Sequence, residues 1–221
     1  MEWAKMKALK FKLFTPTGIF KTPFSLKGIE TYPLPPYSTI IGLLYTALGR
    51  KWQGETFSLS VQGKYEAIFR DYIRFRKYNK KDRILETLPL EVPVLYNLEV
   101  LVHVVGEEEL LKDFEKALKR PSSLLFLSGG EYPVKVYHVK LVEVKEEKVS
   151  DYEVRDYNAL VPQPCAERLS FSKGKTSFLV PSFLKSIKPR EYHWLEVYYL
   201  QKNSFIDGRV YIDEEGSLLW L

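Results

Sequence analysis

Cysteine is almost absent from this chain. Cys165 stands alone in 221 residues, which excludes an internal disulfide and any zinc site built from several thiolates. It reads as a small apolar residue. Histidine is scarce as well: His103, His138 and His193 are far apart, none has a metal-ligand spacing, and none lies in a recognisable nucleophile motif. From these residues alone, no catalytic group, metal ligand or cofactor is expected. Asn and Gln are rare beside Lys and Glu, a balance found in proteins that work at high temperature. No apolar run is long enough to cross a bilayer, and Met1-Glu2-Trp3-Ala4-Lys5-Met6-Lys7 alternates charge where a signal peptide would be apolar. The expectation is a cytoplasmic chain without a membrane partner. There is no internal repeat and no low-complexity tract.

Apolar residues make up 45% of the sequence and charged ones 28%, enough for a sizeable core. The aromatic share, 14%, suggests stacking or interface surfaces besides the core. Charge is distributed unevenly. Between Lys64 and Arg83, eight cations face only Glu66, Asp71 and Asp82, an excess of five that equals the +5 of the whole chain. A local positive field of this kind is the footprint of a polyanion partner.

Leu9, Phe11 and Leu13 alternate with Lys10 and Lys12, which predicts a first strand with one buried face. Ser38 to Leu48 reads as a helix capped by Ser38 and ended by Gly49, with Ile41, Leu44, Tyr45 and Leu48 on one face. Gly42 inside it costs about 1 kcal/mol relative to alanine, and allows close approach by a strand beneath or by RNA above. Residues 65–76 alternate again, with Tyr65, Ala67, Phe69, Ile73 and Phe75 as the inner face of a second strand. After a charged turn at 79–82 the chain returns to a Val-rich strand near 97–105; Pro89 and Pro93 mark 77–95 as a protruding hairpin. Glu107, Glu108 and Glu109 open a second helix, Lys116, Lys119 and Arg120 close it, and Pro121 stops it. A strand at about 134–144 follows. The order β-α-β-β-α-β predicts an α+β, ferredoxin-like (RRM-type) domain over 1–145. Past the charged stretch 145–148, a small antiparallel β unit is expected over 146–221, ending in a hairpin that turns at 213–216.

One stretch joins charge to ring chemistry. A period of two puts Arg70, Tyr72, Arg74, Arg76 and Tyr78 on a single strand face. Phosphates need cations and unstacked bases need flat partners. A solvated edge strand blunted by charge would show the same pattern, but the basic excess continues through Lys77, Lys80, Lys81 and Arg83, which favours nucleic acid.

The run Thr31-Tyr32-Pro33-Leu34-Pro35-Pro36-Tyr37-Ser38, continuing through Ile41-Gly42-Leu43-Leu44 to Gly49, follows a strand that ends in Thr15-Pro16-Thr17-Gly18-Ile19-Phe20-Lys21-Thr22-Pro23. Together these resemble the N-terminal motif of the fifth CRISPR-associated (Cas) protein family, the RAMP-type subunit at the 5′ end of the guide RNA in Cascade complexes. The resemblance covers roughly residues 8–145. It implies a non-catalytic subunit of a type I effector that binds the 5′ handle of the guide RNA and joins the large subunit to the backbone subunits, with target DNA reached through the complex. It also implies a hairpin between the second and third strands, the thumb, which maps to about 74–96. The apolar residues Ile84-Leu85 and Leu88-Pro89-Leu90 then suit a protein contact. Lys21, Arg70, Arg74 and Arg76 would meet phosphates, and bases would stack on Tyr72 or Tyr78. Gly129-Gly130 sits where the superfamily carries a glycine-rich loop that approaches RNA; as residues alone the pair reads as a turn.

Two other functions remain open at this point. One subgroup of the family cleaves precursor guide RNA without metal, using Tyr, Lys and His; Tyr45 matches the tyrosine position, but the adjacent Lys-His pair has no equivalent beyond His138 with Lys140. A generic RRM-like RNA-binding protein outside CRISPR is the second.

Overall fold

The computed structural model describes residues 6–23, 29–128 and 132–221. Period-two burial builds the first strand as expected: in β1 (Met6–Gly18) Leu9, Phe11 and Leu13 are fully buried. The proline run then packs as a plug. Tyr32, Leu34, Pro35, Pro36 and Tyr37 are all buried, and the run leads into α1 (Tyr37–Leu48). Ser38 does not cap this helix; it lies in the first turn, and Pro36 is the N-cap with no side-chain cap hydrogen bond, because the proline ring already sets the extended entry. Gly49 ends the helix as expected, at φ +72, a left-handed conformation that favours glycine.

The next strand, β2 (Ser58–Lys64), is absent from the sequence reading. It enters the sheet at a tight point. A Cβ on Gly63 would lie 2.7 Å from Leu34 Cδ2 and 2.8 Å from the Glu99 carbonyl oxygen. Gly63→Ala is therefore expected to destabilise the protein by about 1–3 kcal/mol through overpacking, seen as a lower urea midpoint with unchanged slope.

β3 (Ala67–Asn79) and β4 (Ile84–Val105) form a long hairpin, followed by α2 (Glu108–Lys119), β5 (Lys135–Val154), β6 (Asn158–Pro162), α3 (Gln163–Ala166), β7 (Leu169–Phe171), β8 (Thr176–Ser186), β9 (Glu191–Leu200), β10 (Ser204–Asp213) and β11 (Leu218–Leu219). The strands join into one sheet in the order β11-β10-β5-β1-β4-β2-β6-β9-β8, with β3 on the outer part of β4 and β7 on β10. The expected α+β ferredoxin-like domain with a separate β unit does not form. Among the described residues the architecture is a mostly antiparallel sheet of eleven strands with two twelve-residue helices and one of four residues. Its physical cause is continuity of pairing. The backbone groups that would end a four-stranded sheet find partners in the C-terminal third, β10 on β5 and β6 on β2. β5 passes the expected boundary near 145 without a break.

Helices α1 and α2 cover one face, where Leu44, Phe114, Val102 and Leu160 share a core. Tyr32 and Tyr37 donate their hydroxyls to the carbonyls of Leu179 in β8 and Leu160 in β6, so the proline motif ties the first third of the chain to the last. The C-terminal turn covers the opposite face. Lys10, expected at the solvent face of β1, is only 2% exposed and pairs with Asp213 at 2.6 Å and Glu215 at 2.7 Å.

Candidate nucleic-acid interface

β3 pairs with β4 in unbroken register from Ala67 opposite Tyr96 to Asn79 opposite Ile84. Because the strand has a period of two, Arg70, Tyr72, Arg74, Arg76 and Tyr78 stand on one face. Tyr72 is 71% exposed and Tyr78 57%. Arg70 is ion-paired to Glu91 at 2.8 Å, and this hydrogen bond raises its pKa. The remaining cations of the arm, Arg74, Arg76, Lys77, Lys80, Lys81 and Arg83, are exposed and make no ion pair among the described residues. Free cations interleaved with open rings are what a single-stranded polyanion requires.

The strand's other face departs from expectation. Ala67 and Phe69 were expected to be inner residues but are exposed, since β3 has β4 as its only strand neighbour among the described residues. Beyond its base, where Val92 and Val94 are buried, the arm projects, so both of its faces meet solvent there. Ile73, Leu90, Leu88 and Ile84 lie on this second face by register. Lys77 is there too, opposite Glu86, apart from the arginine row. Lys80, Lys81 and Arg83 occupy the turn at the tip, where Asn79 Oδ1 accepts the backbone N–H of Lys81.

Lys21 sits in a loop bridged to Thr31 and is exposed. Glu30 in the same loop acts electrostatically on Arg70, which places this loop beside the base of the arm. Gly129 and Gly130 lie outside the described residues. Gly42 has open space above it, with no atom within 4 Å of where a Cβ would stand.

The groups weighed for catalysis are held apart. Tyr45 is buried in the helix-side core, its ring 5.6 Å from that of Phe114. Burial, reinforced by the Glu55 carboxylate, lifts its hydroxyl pKa well above the usual value. His138 bonds Glu215 at 2.9 Å, on the far side of the sheet with Lys10. His103 is fully buried with Nε2 3.0 Å from Asp213, and burial lowers its pKa against the pull of that carboxylate. His193 is exposed on β9. Among the described residues no group of His, Cys, Asp and Glu has the arrangement to hold a metal ion.

A second cationic group is internally engaged. Lys12 and Lys64 stand 5.7 and 5.2 Å from the centre of the Tyr157 ring. The Tyr157 hydroxyl donates to Glu99, which Lys64 also pairs at 3.5 Å. The sequence reading missed the buried cluster of Lys10, His103 and Asp213. Its only signal was a lysine inside an apolar alternation, which reads as solvent-facing until a carboxylate some 200 positions away is known to meet it.

Known proteins resemble most of the chain. The family described as CRISPR-associated protein (Cas_Cas5) matches residues 8–190. No curated protein matches the sequence. A chain of a solved structure described as a CRISPR RNA-guided surveillance complex superposes with a TM-score of 0.60 at 13% identity, covering 88% of this chain and 90% of that one. A second, described as the crystal structure of a Cas protein, gives 0.51 at 17% identity, with 88% and 95% covered. At these identities the likeness is one of fold.

Proposed function

The chain belongs to the CRISPR-associated Cas5 family, and on that premise we propose that it is a non-catalytic subunit of a type I RNA-guided effector complex. It binds the 5′ handle of the guide RNA and links the large subunit to the backbone subunits, while target DNA is reached through the assembly. Family membership leaves no place for a generic RNA-binding protein outside CRISPR.

The observation that carries the RNA assignment is the row Arg70, Tyr72, Arg74, Arg76 and Tyr78 on one face of a projecting arm. Arg74 and Arg76 neutralise phosphates and release counterions. Tyr72 and Tyr78 offer rings to unstacked bases, each stack contributing on the order of 1–3 kcal/mol. Lys21 approaches the same handle from the loop at the base of the arm. The apolar second face, with Ile73, Leu88 and Leu90, suits a neighbouring protein subunit.

The separation of Tyr45 from His138 by the sheet supports binding without cleavage, since general acid–base chemistry needs groups within hydrogen-bond reach of one another's substrate atoms. Incubating excess protein with its own repeat RNA, with and without EDTA, tests the reading. The expected result is specific retention of the 5′ handle with intact RNA. Site-specific cleavage that survives EDTA and disappears in Tyr45→Phe or His138→Ala would establish a metal-independent endoribonuclease instead.

A further inference from the structure

A groove crosses the solvent side of α1, away from the arm. Two pockets of about 400 and 640 Å³ share Ser38, Gly42, Arg190 and Tyr192, and so form one continuous depression. Gly42 is its floor, with helix backbone open to contact. One wall is the segment after α2, where Leu124 is 72% exposed; the other is the β8–β9 turn, where Ile187 is 70% exposed.

Two features define what fits. The first is charge. Lys51, Lys185 and Arg190 line the groove, no Asp or Glu does, and none of these three cations is ion-paired among the described residues. Arg50, beside the groove, is by contrast matched by Glu55. The occupant is therefore anionic.

The second feature is the kind of apolar surface on offer. A single-stranded nucleic acid stacks its bases on free ring faces, and three of the four rings that line the groove, Tyr45, Trp52 and Tyr192, are engaged, while Phe126 is open. The guanidinium of Arg190 lies over Tyr192 at 5.3 Å. Trp52 packs on Phe183 at 5.6 Å and donates its Nε1–H to the Glu55 carbonyl. What remains open is mainly aliphatic: Leu124 and Ile187 are 72% and 70% exposed, against 41% for Phe126. A contiguous exposed apolar surface inside a polar rim marks a protein contact.

We propose that this groove receives a segment of a partner protein that carries aliphatic side chains flanked by carboxylates, at a site separate from both faces of the arm. The inference takes from the function above only that the chain works within an assembly. Its test places a photo-crosslinking amino acid at Ile187 and, in a second variant, at Tyr72, each in the full chain co-expressed with the protein subunits and guide RNA of its effector complex. Position 187 is expected to capture a protein segment of that composition. The double change Arg190→Glu and Lys185→Glu should reduce that yield by about tenfold or more, because like charges facing each other across an interface repel strongly, while leaving capture of RNA at Tyr72 intact. Capture of RNA at position 187, no capture there, or a yield indifferent to charge reversal overturns the proposal. Loss of RNA capture at Tyr72 with protein still captured at position 187 would overturn the RNA assignment alone.

Discussion

Replacing Arg70, Arg74 and Arg76 together with alanine is expected to weaken guide RNA binding by up to about fiftyfold at physiological salt. The figure follows from counterion release: each phosphate contact to a single strand contributes about 0.7 to the log–log salt slope, so three lost contacts flatten it by about 2. Arg70 is already held by Glu91, so its share is the smallest, and the double variant Arg74→Ala with Arg76→Ala should retain most of the effect. Affinity measured across a salt series separates this from a folding defect, which would lower the active fraction without changing the slope. An unchanged slope would remove these arginines from the interface.

Asp213→Ala is expected to be the most damaging single change to stability, costing about 3–5 kcal/mol. Removing one partner of a buried ion pair strands the other; here His103 loses its carboxylate and Lys10 loses the fully buried one of its two, keeping only Glu215. Two backbone N–H groups of the C-terminal turn, those of Glu215 and Ser217, also lose an acceptor. For a chain of this size each kcal/mol shifts the melting temperature by roughly 2–4 °C, so calorimetry reads the loss directly. Replacing Lys10 by methionine and Asp213 by leucine together should recover part of it, because no charge is then buried alone.

The same cluster predicts acid sensitivity. Burial lowers the pKa of His103 below its ordinary 6.5, so under acid the unfolded chain takes up that proton first and stability declines as pH falls below about 6.5. Hydrogen bonds from Lys10, Lys140 and His138 hold Glu215 at about 2. Its contribution is complete above its ordinary 4.5 and is lost as pH falls toward 2. Urea midpoints measured from pH 7 downward should therefore fall throughout, and a rise anywhere in that window would contradict the assignment.

The local elements were legible because they rest on short-range rules. Alternation found β1, the charge asymmetry of α2 matched its dipole at both ends, and Gly49 marked the end of α1. The period of two was enough to place five functional candidates on one face of β3, since a strand cannot arrange them otherwise. The proline motif and the helix after it resembled the family that the match over residues 8–190 then established. The strand β2 escaped notice because Ser58-Leu59-Ser60-Val61-Gln62-Gly63-Lys64 is short, weakly apolar and broken by glycine. Its place depends on Leu34 and the Glu99 carbonyl closing around Gly63.

By itself, the sequence determined the family, the two main helices, the cationic and aromatic row of β3 and the turn at 213–216. All of these follow from neighbours in the chain or from a motif read in order. Only the tertiary structure decided that the strands form one eleven-stranded sheet, that Lys10 is buried against Asp213, that the arm bares both of its faces, and that α1 carries an open groove. Each of these depends on which distant backbone edge or side chain fills a given space. Hydrogen-bond pairing and desolvation settle such choices between residues far apart in the chain, and no local period records them.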